Sequence, residues 1–162
     1  DVERLGEQLL GLGADDVYVL PAAAARDLME ARERAFWASK AAGADEVVDI
    51  VVPRAALPRL FAEADVIARD SASVITGCGH AGDGNVHLAV FQPDPERREA
   101  VLRGLFRAGT ELGGAISGEH GIGTTKKRYF LELEDPAKVE LMRRIKHAFD
   151  PDGILNPGIL FD

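Results

Sequence analysis

The chain has 162 residues, of which 46% are hydrophobic and 28% are charged, a composition typical of one small globular unit or of two subdomains that share a core. Its 27 acidic residues outnumber its 19 basic residues and give a formal net charge of −8, which disfavours binding to nucleic acid. The single cysteine excludes an internal disulfide framework. Because no apolar run approaches the roughly 18 residues of a membrane span and no signal peptide opens the chain, we expect a soluble cytoplasmic protein.

The first third of the chain predicts two helices separated by a strand. The first helix is indicated by leucines at helical spacing, at positions 5, 9, 10 and 12. The segment DDVYVLP that follows alternates and stops at Pro21, which predicts a strand. Residues 22–40 are rich in Ala, Leu, Arg and Glu and predict a long helix, with Phe36 and Trp37 as core residues.

The middle of the chain predicts three strands and two more helices. EVVDIVVP at 46–53 is β-branched and predicts a strand, and residues 53–69 predict a helix. SVITGCG and NVHLAVF predict two short strands joined by a glycine-rich turn, and residues 96–112 predict a helix. The residues expected on the buried faces of these two helices are Leu57, Leu60, Phe61, Ala64, Val101, Leu105 and Ala108.

The last third begins with a polar turn, SGEHGIG at 117–123, followed by a charged, broken segment to Glu134. Pro136 begins a helix that ends near Phe149, and a turn-rich tail follows. Taken together, the elements predict an α+β fold, with a ferredoxin-like antiparallel sheet covered by helices and a helical C-terminal segment.

The segment GCGHAG at 77–82 matches the pattern G-x-G-x-x-G of dinucleotide-binding proteins. That fingerprint needs a helix after it, whereas NVHLAVF predicts a strand, so a dinucleotide-binding fold is disfavoured. Glycines at 77, 79, 82 and 84 instead permit positive φ angles and a tight loop that holds His80 and Asp83.

Two histidines and a glutamate are candidate metal ligands. Strand alternation puts His87 on the less aliphatic face of NVHLAVF, close to His80 on the preceding turn, and the second polar turn can bring Glu119 to the same point. Two imidazoles and a carboxylate suit a catalytic divalent cation such as Zn²⁺ or Mn²⁺. The alternative is structural: His80 caps a turn and His87 is a half-buried histidine with satisfied hydrogen bonds.

His120, next to Glu119, is a candidate general base, because an imidazole titrates near neutrality. The alternative is that Ser117 caps a helix that starts here, with Glu119 in its first turn. Cys78 is interpreted as a packing residue. The basic run KKR at 126–128 is either solvated or holds an anionic substrate or cofactor.

Three segments in order carry a resemblance to a known family: GHAGDGNVH at 79–87, SGEHGIGTTKKRYF at 117–130 and DPDGILNPGILF at 150–161. They resemble the C-terminal, substrate-side domain of the FAD-linked oxidases of the vanillyl-alcohol oxidase type. Within it the nearest groups are the glycolate oxidase large subunit, D-lactate dehydrogenase and D-2-hydroxyglutarate dehydrogenase. Residues 1–162 would then form this cap domain as a fragment, without the FAD-binding domain that precedes it in the family.

The resemblance implies roles for individual residues. His80, His87 and Glu119 match the family's metal ligands, His120 matches its base, and Asn156 matches a segment that folds back towards the flavin domain. The implied enzyme oxidises a D-2-hydroxy acid to the 2-oxo acid: a divalent metal polarises the substrate hydroxyl, the base takes its proton, and hydride passes to FAD.

Two positions depart from the family pattern. Lys40 stands where many relatives have an arginine that binds the substrate carboxylate, which keeps the charge but loses the bidentate geometry. Ala89 stands where hydroxyglutarate-type enzymes have an asparagine two residues after the second histidine. Both departures leave the identity of the hydroxy acid open, and Ala89 argues against a hydroxyglutarate-like pocket.

The resemblance also implies partners: a small 2-hydroxy acid, the chain's own FAD-binding domain, and an electron acceptor, which among relatives is a quinone, a cytochrome, an electron-transfer flavoprotein or an iron–sulfur subunit. Such an acceptor could bring a cytoplasmic protein to the membrane surface. Two other functions use the same ligands. One is a stand-alone module that binds a metal or a small acid without redox activity, and the other is a metal hydrolase.

Overall fold

The computed structural model describes residues 1–161, except for the side chains at positions 35 and 36. The chain divides into two compact units, residues 1–35 and residues 36–162. The helices are α1 Val2–Gly11, α2 Ala22–Ala41, α3 Leu57–Ser71, α4 Pro95–Glu111, α5 Lys127–Leu133 and α6 Pro136–Phe149. The strands are β1 Glu46–Val51, β2 Val74–His80 and β3 Asn85–Phe91.

In the first unit, α1 is an amphipathic helix followed by an irregular segment that leads to α2. The strand predicted for DDVYVLP is wrong, because residues 17–21 have no regular secondary structure. Tyr18 and Val19 in this segment are exposed, so the alternating pattern has no sheet and no core to join. Alternation alone therefore does not make a strand.

The sheet of the second unit is antiparallel and has the order β1–β3–β2. The chain runs β1, α3, β2, β3, α4, so β3 is inserted between two strands that a helix connects. This is the split β-α-β arrangement, and the predicted α+β fold is confirmed. Beside β1, where a ferredoxin-like sheet has its fourth strand, Val51 and Ala115 form a single antiparallel bridge.

One face of the sheet packs against α3 and α4 and forms the core. Side chains on alternate positions of β1 and β3 point to this face, and the approach is close: a Cβ on Gly109 of α4 would lie 2.7 Å from Cγ2 of Ile50. The most deeply buried side chains of the core are Ile50, Leu60, Val90, Val101, Leu105, Phe106, Ile116 and Tyr129.

The helical predictions are confirmed for α1, α2, α3, α4 and α6, apart from shifts at their ends. The short helix α5 was not predicted, because its charged sequence lies within a broken segment. Among the predicted core residues, Phe61 is 46% exposed and Trp37 is 64% exposed, so both predictions are wrong. Phe36 lies outside the described side chains. None of the described helices has both the length and the apolar character needed to cross a lipid bilayer.

Candidate metal and proton-transfer site

The face of the sheet away from α3 and α4 presents polar side chains. In the register of the sheet, His87 of β3 lies directly opposite Asp49 of β1 and Cys78 of β2, and residues opposite one another share a face. The aliphatic neighbours Val48 and Val86 point to the core instead. The predicted alternation of NVHLAVF is therefore confirmed: His87 lies on the face of the sheet away from the aliphatic core.

The hairpin between β2 and β3 brings His80 beside His87. His80 pairs with Asn85 at the end of the ladder, and residues 81–84 form the turn, in which the N–H of Asp83 donates to the carbonyl of His80 over 2.8 Å. The two imidazole rings lie edge to face, with centroids 5.6 Å apart. Because a strand follows the turn, the structure excludes the dinucleotide-binding interpretation of this glycine-rich segment.

The glycines of this hairpin have two different roles. Among the glycines at 77, 79, 82 and 84, Gly84 has a positive φ, at +76°, and a Cβ there would lie 2.0 Å from the carbonyl oxygen of Val52. Gly77 and Gly79 lie within β2, where a Cβ would come within 2.7 and 2.4 Å of backbone oxygens of β3. These two glycines permit close strand packing, whereas Gly84 permits the turn.

The second polar turn is held against the sheet by Asp49. Its Oδ2 accepts hydrogen bonds from the hydroxyl of Ser117 over 2.8 Å, from the N–H of Glu119 over 2.9 Å and from the N–H of His120 over 2.8 Å. The alternative interpretation, in which Ser117 caps a helix that starts here, is wrong, since residues 117–120 have no helical structure. Ser117 therefore binds a buried carboxylate and is no helix cap.

These contacts place Glu119 over the two histidines. Its Oε1 lies 2.9 Å from Nε2 of His87 and 3.6 Å from Nε2 of His80. One ligand atom from each of the three residues lies within 4.8 Å of the other two. Two imidazole nitrogens from strands β2 and β3 and one carboxylate oxygen from a loop converge here. This set fits a divalent cation such as Zn²⁺ or Mn²⁺ and leaves coordination positions open.

His120 lies beside this cluster. Its ring stacks on that of His87, with centroids 4.8 Å apart and an angle of 11° between the planes, and its Nε2 lies 3.8 Å from Oε1 of Glu119. The side chain of His120 is 41% exposed, whereas that of His87 is 7% exposed. A partly exposed imidazole next to a candidate metal position is well placed to take a proton from a bound molecule.

The site is electrostatically organised around buried Asp49. Burial alone would raise the pKa of this carboxyl, but hydrogen bonds from His120, Glu119 and Ser117, together with the charge of Lys126, lower it to about 2. Burial lowers the pKa of His87, while the charges of Asp49 and Glu119 oppose this shift. Asp49 is therefore an anion and His87 favours its neutral, metal-binding form at neutral pH.

Two further predicted residues lie on other elements. Lys40, the candidate for the substrate carboxylate, is exposed near the end of α2, with its Nζ 5.7 Å from the centre of the Trp37 ring. Asn156 lies in an exposed turn of the C-terminal tail with a positive φ of 48°. The structure thus brings together His80, His87, Glu119 and His120, but not Lys40 or Asn156. The chemical roles of all six residues stay predictions.

The basic run makes different contacts at each position. Burial lowers the pKa of Lys126, whose ammonium group is buried, while the charge of Asp49 opposes the shift. Lys127 donates to the carbonyl of Gly158 over 3.2 Å, and Arg128 lies 3.1 Å from a carboxylate oxygen of Glu99.

Asp49 is the site residue that sequence reasoning missed. It lies in the predicted strand EVVDIVVP, where a lone acidic residue resembles an ordinary solvent-facing position. The signal that could have found it is its place inside an otherwise aliphatic run, since a charge there needs a partner. Cys78 is a half-buried free thiol on the same face and is not one of the three clustered ligands.

Comparison with known proteins agrees with the motifs. The chain matches the family described as FAD linked oxidases, C-terminal domain, over residues 1–160. It is 56% identical over 161 residues to an uncharacterized FAD-linked oxidoreductase of Mycobacterium tuberculosis, covering 99% of this chain and 35% of that protein. It is also similar to two proteins with named substrates.

The first is D-2-hydroxyglutarate dehydrogenase of Stutzerimonas stutzeri, at 36% identity over 122 residues, covering 70% of this chain and 26% of that protein. The second is glycolate oxidase subunit GlcD of Escherichia coli, at 36% identity over 172 residues, covering 98% of this chain and 33% of that protein. The chain therefore spans about a third or less of the length of these relatives.

Proposed function

The chain belongs to the family of FAD linked oxidases, C-terminal domain, and from this we propose that it is the substrate-side domain of a flavin-dependent enzyme that oxidises a D-2-hydroxy acid of the glycolate or D-lactate type to the 2-oxo acid. The observation that carries the proposal is the convergence of His80, His87 and Glu119 within 4.8 Å, with His120 stacked beside them. The names of the relatives support the same class of substrate.

The residues divide the work of binding and proton transfer. His80, His87 and Glu119 would hold a divalent cation, which when bound supplies the positive charge that polarises the substrate hydroxyl and orients its carboxylate. His120 would take the hydroxyl proton at an imidazole nitrogen, which leaves the hydride on C2 to depart as the carbonyl forms. FAD, held by a second domain, supplies the hydride acceptor.

Lys40 and Asn156 belong to the proposal as expectations of the resemblance. Lys40 would attract the substrate carboxylate as a point charge, without the paired hydrogen bonds of an arginine. Asn156 would face the flavin domain from the exposed tail. The electron acceptor that reoxidises the flavin, whether quinone, electron-transfer flavoprotein or protein subunit, lies outside the residues of this chain.

The first test is metal binding by the chain and by single variants. Elemental analysis and calorimetric titration with Zn²⁺ and Mn²⁺ should give about one equivalent of one metal for the wild type, because three ligands with open positions form one site. His87→Ala or Glu119→Ala should lose that equivalent while the far-ultraviolet circular dichroism is retained.

The chain offers a matched control for this experiment. His147 is the fourth histidine, exposed on α6 and outside the clustered ligands, so His147→Ala should bind metal like the wild type. Equal metal content in the wild type and the His87→Ala variant, or unfolding of that variant with its metal retained, would show that the histidines are structural. In that case the metal-assisted reaction is excluded.

A second measurement addresses the redox reaction. A protein that joins this domain to its FAD-binding domain should bleach its flavin absorbance on anaerobic addition of glycolate or D-lactate, because two electrons pass to the flavin. Retained metal binding with no bleaching by any D-2-hydroxy acid would favour the stand-alone binding module instead.

A further inference from the structure

The carboxylate of Asp49 is fully buried at 0% exposure in the middle of β1, and the reaction outlined above does not use it. A buried charge is unfavourable unless strong hydrogen bonds or nearby charges compensate it. All three hydrogen bonds found to its Oδ2 come from one short segment, residues 117–120. The compensation of this charge is therefore coupled to the position of the loop that carries Glu119 and His120.

We propose that Asp49 is the positioning residue of the cluster: it fixes the 117–120 loop over the sheet and faces His87 from the opposite side of its ring, so that the metal-binding groups are arranged before a metal arrives. The inference rests on the metal site proposed above. It assigns no contact with substrate to Asp49, which acts through its neighbours.

The two oxygens of Asp49 have separate roles in this arrangement. Oδ2 holds the backbone N–H groups of Glu119 and His120, which fixes the point from which each of these side chains starts. Oδ1 lies 3.9 Å from Nδ1 of His87, on the side of the ring away from the Nε2 that meets Glu119. A negative charge near Nδ1 favours a proton on that nitrogen and leaves Nε2 as the ligand atom.

The negative charge matters as well as the shape. Three donors converge on one oxygen, and hydrogen bonds to a carboxylate are roughly twice as strong as those to a neutral amide. The buried ammonium of Lys126, a few residues after the loop, contributes a compensating positive charge. An asparagine at position 49 keeps the size of the side chain but loses the charge that binds the loop.

The space around the loop also shows that its position is specific. A Cβ on Gly118 would lie 3.0 Å from Oδ1 of Asp49 and 2.1 Å from Nδ2 of Asn85. The loop therefore passes directly over Asp49 with no room for a side chain between them. Because the loop packs directly on Asp49, a displacement of the carboxylate would also displace Glu119 and His120.

The test compares Asp49→Asn with Asp45→Asn in the 162-residue chain. Asp45 is a matched control because its carboxylate also accepts a backbone N–H, that of Gln92 over 2.8 Å, and pairs with Arg98 at 3.4 Å. Three quantities are measured: Zn²⁺ affinity by calorimetry, hydrogen exchange of the 117–120 amides without metal, and the urea midpoint of unfolding.

For Asp49→Asn we expect Zn²⁺ affinity to fall by about 10- to 100-fold, as for other residues that orient metal ligands. Exchange at Glu119 and His120 should accelerate by about tenfold or more, since the hydrogen bond from each N–H would go to a neutral acceptor in place of a carboxylate. Asp45→Asn should leave the Zn²⁺ affinity and the exchange rates at the wild-type level, even if its urea midpoint falls as much as that of Asp49→Asn. If Asp49→Asn loses Zn²⁺ affinity and Asp45→Asn does not, the loss is due to the position of the ligands and not to a general loss of stability.

Wild-type affinity and wild-type exchange at the loop in a folded Asp49→Asn variant would overturn the proposal. If Asp49→Asn does not fold, Asp49→Glu replaces it: the charge is kept and its oxygens move by one methylene, so affinity should again fall, and an unchanged affinity overturns the inference. If the wild type binds no Zn²⁺, the proposed function fails, while the exchange rates still decide whether Asp49 holds the loop.

Discussion

At the scale of single residues, Gly118 is a point of the site with no room for a side chain. The Cβ of an alanine would meet the amide of Asn85, at 2.1 Å from Nδ2, and the carboxylate of Asp49, at 3.0 Å from Oδ1. Because two buried polar side chains would have to move, we expect Gly118→Ala to lower the free energy of unfolding by about 1–3 kcal/mol. It should also weaken Zn²⁺ binding, since Glu119 is the next residue.

Gly82 provides the control for this substitution. A Cβ there meets no atom within 4 Å, although the residue lies in the turn next to His80. Gly82→Ala should therefore leave both the urea midpoint and the metal affinity unchanged. Equal stability of the two alanine variants would show that the loop can move away from Asp49 without cost.

The four residues of the candidate site could be predicted from the sequence, and the residue proposed to position them could not. His80, His87, Glu119 and His120 lie in polar, glycine-rich segments that no core requires, so their residue types alone indicate chemistry. Asp49 lies in a β-branched strand, and its role depends on a loop that follows about 70 residues later. Contacts over such a separation are a property of the fold and leave no local pattern.

At the scale of elements, the tail after α6 is organised by one carboxylate. Asp150 accepts hydrogen bonds from the N–H of Ile154 over 2.9 Å and of Leu155 over 3.0 Å, and it pairs with Lys146. These bonds shape the turn that carries Asn156. The tail is therefore held in a defined conformation by these hydrogen bonds.

The tail should respond to acid in a specific direction. The hydrogen bond from Lys146, with those from the backbone of Leu155 and Ile154, lowers the pKa of Asp150 below its usual value. The stabilisation is complete at neutral pH and is lost as the pH falls through this lowered pKa, below about pH 4. Amide resonances of Ile154 and Leu155 should shift together in that range.

The pH response has a matched pair of variants. Asp150→Asn should abolish the titration of the two amides, whereas Asp152→Asn, in the same exposed turn, should leave it in place. A titration that persists in Asp150→Asn would assign it to another group and remove the argument that this carboxylate shapes the tail.

The alternating sequence pattern predicted strands correctly only where a neighbouring strand is present to pair with them. The pattern of SVITGCG and NVHLAVF was sufficient for β2 and β3, because β3 is central and the strands pair along their full length. The equally alternating DDVYVLP has no partner strand among the described residues and is irregular. Pairing partners, which local sequence does not specify, decide between these outcomes.

At the scale of the whole molecule, the buried core is confined to one of the two units. Every buried hydrophobic residue of the described chain lies between Val48 and Val139, within the unit of residues 36–162. The candidate metal ligands and Asp49 lie in the same unit. In α1, by contrast, no residue is buried, and Leu9 and Leu12 are 40% and 85% exposed.

This distribution predicts the outcome of a truncation. A chain of residues 36–162 should unfold in urea with a free energy within about 0.5 kcal/mol of the full chain, because none of the described side chains of residues 1–34 is buried. Phe106→Ala serves as the positive control: this residue is 1% exposed, so its loss should cost about 3–5 kcal/mol in either chain. Zn²⁺ affinity should be equal in both chains, since all three ligands remain. A lower or less cooperative unfolding transition in the shorter chain would mean that residues 1–35 stabilise the core through contacts that burial does not reveal.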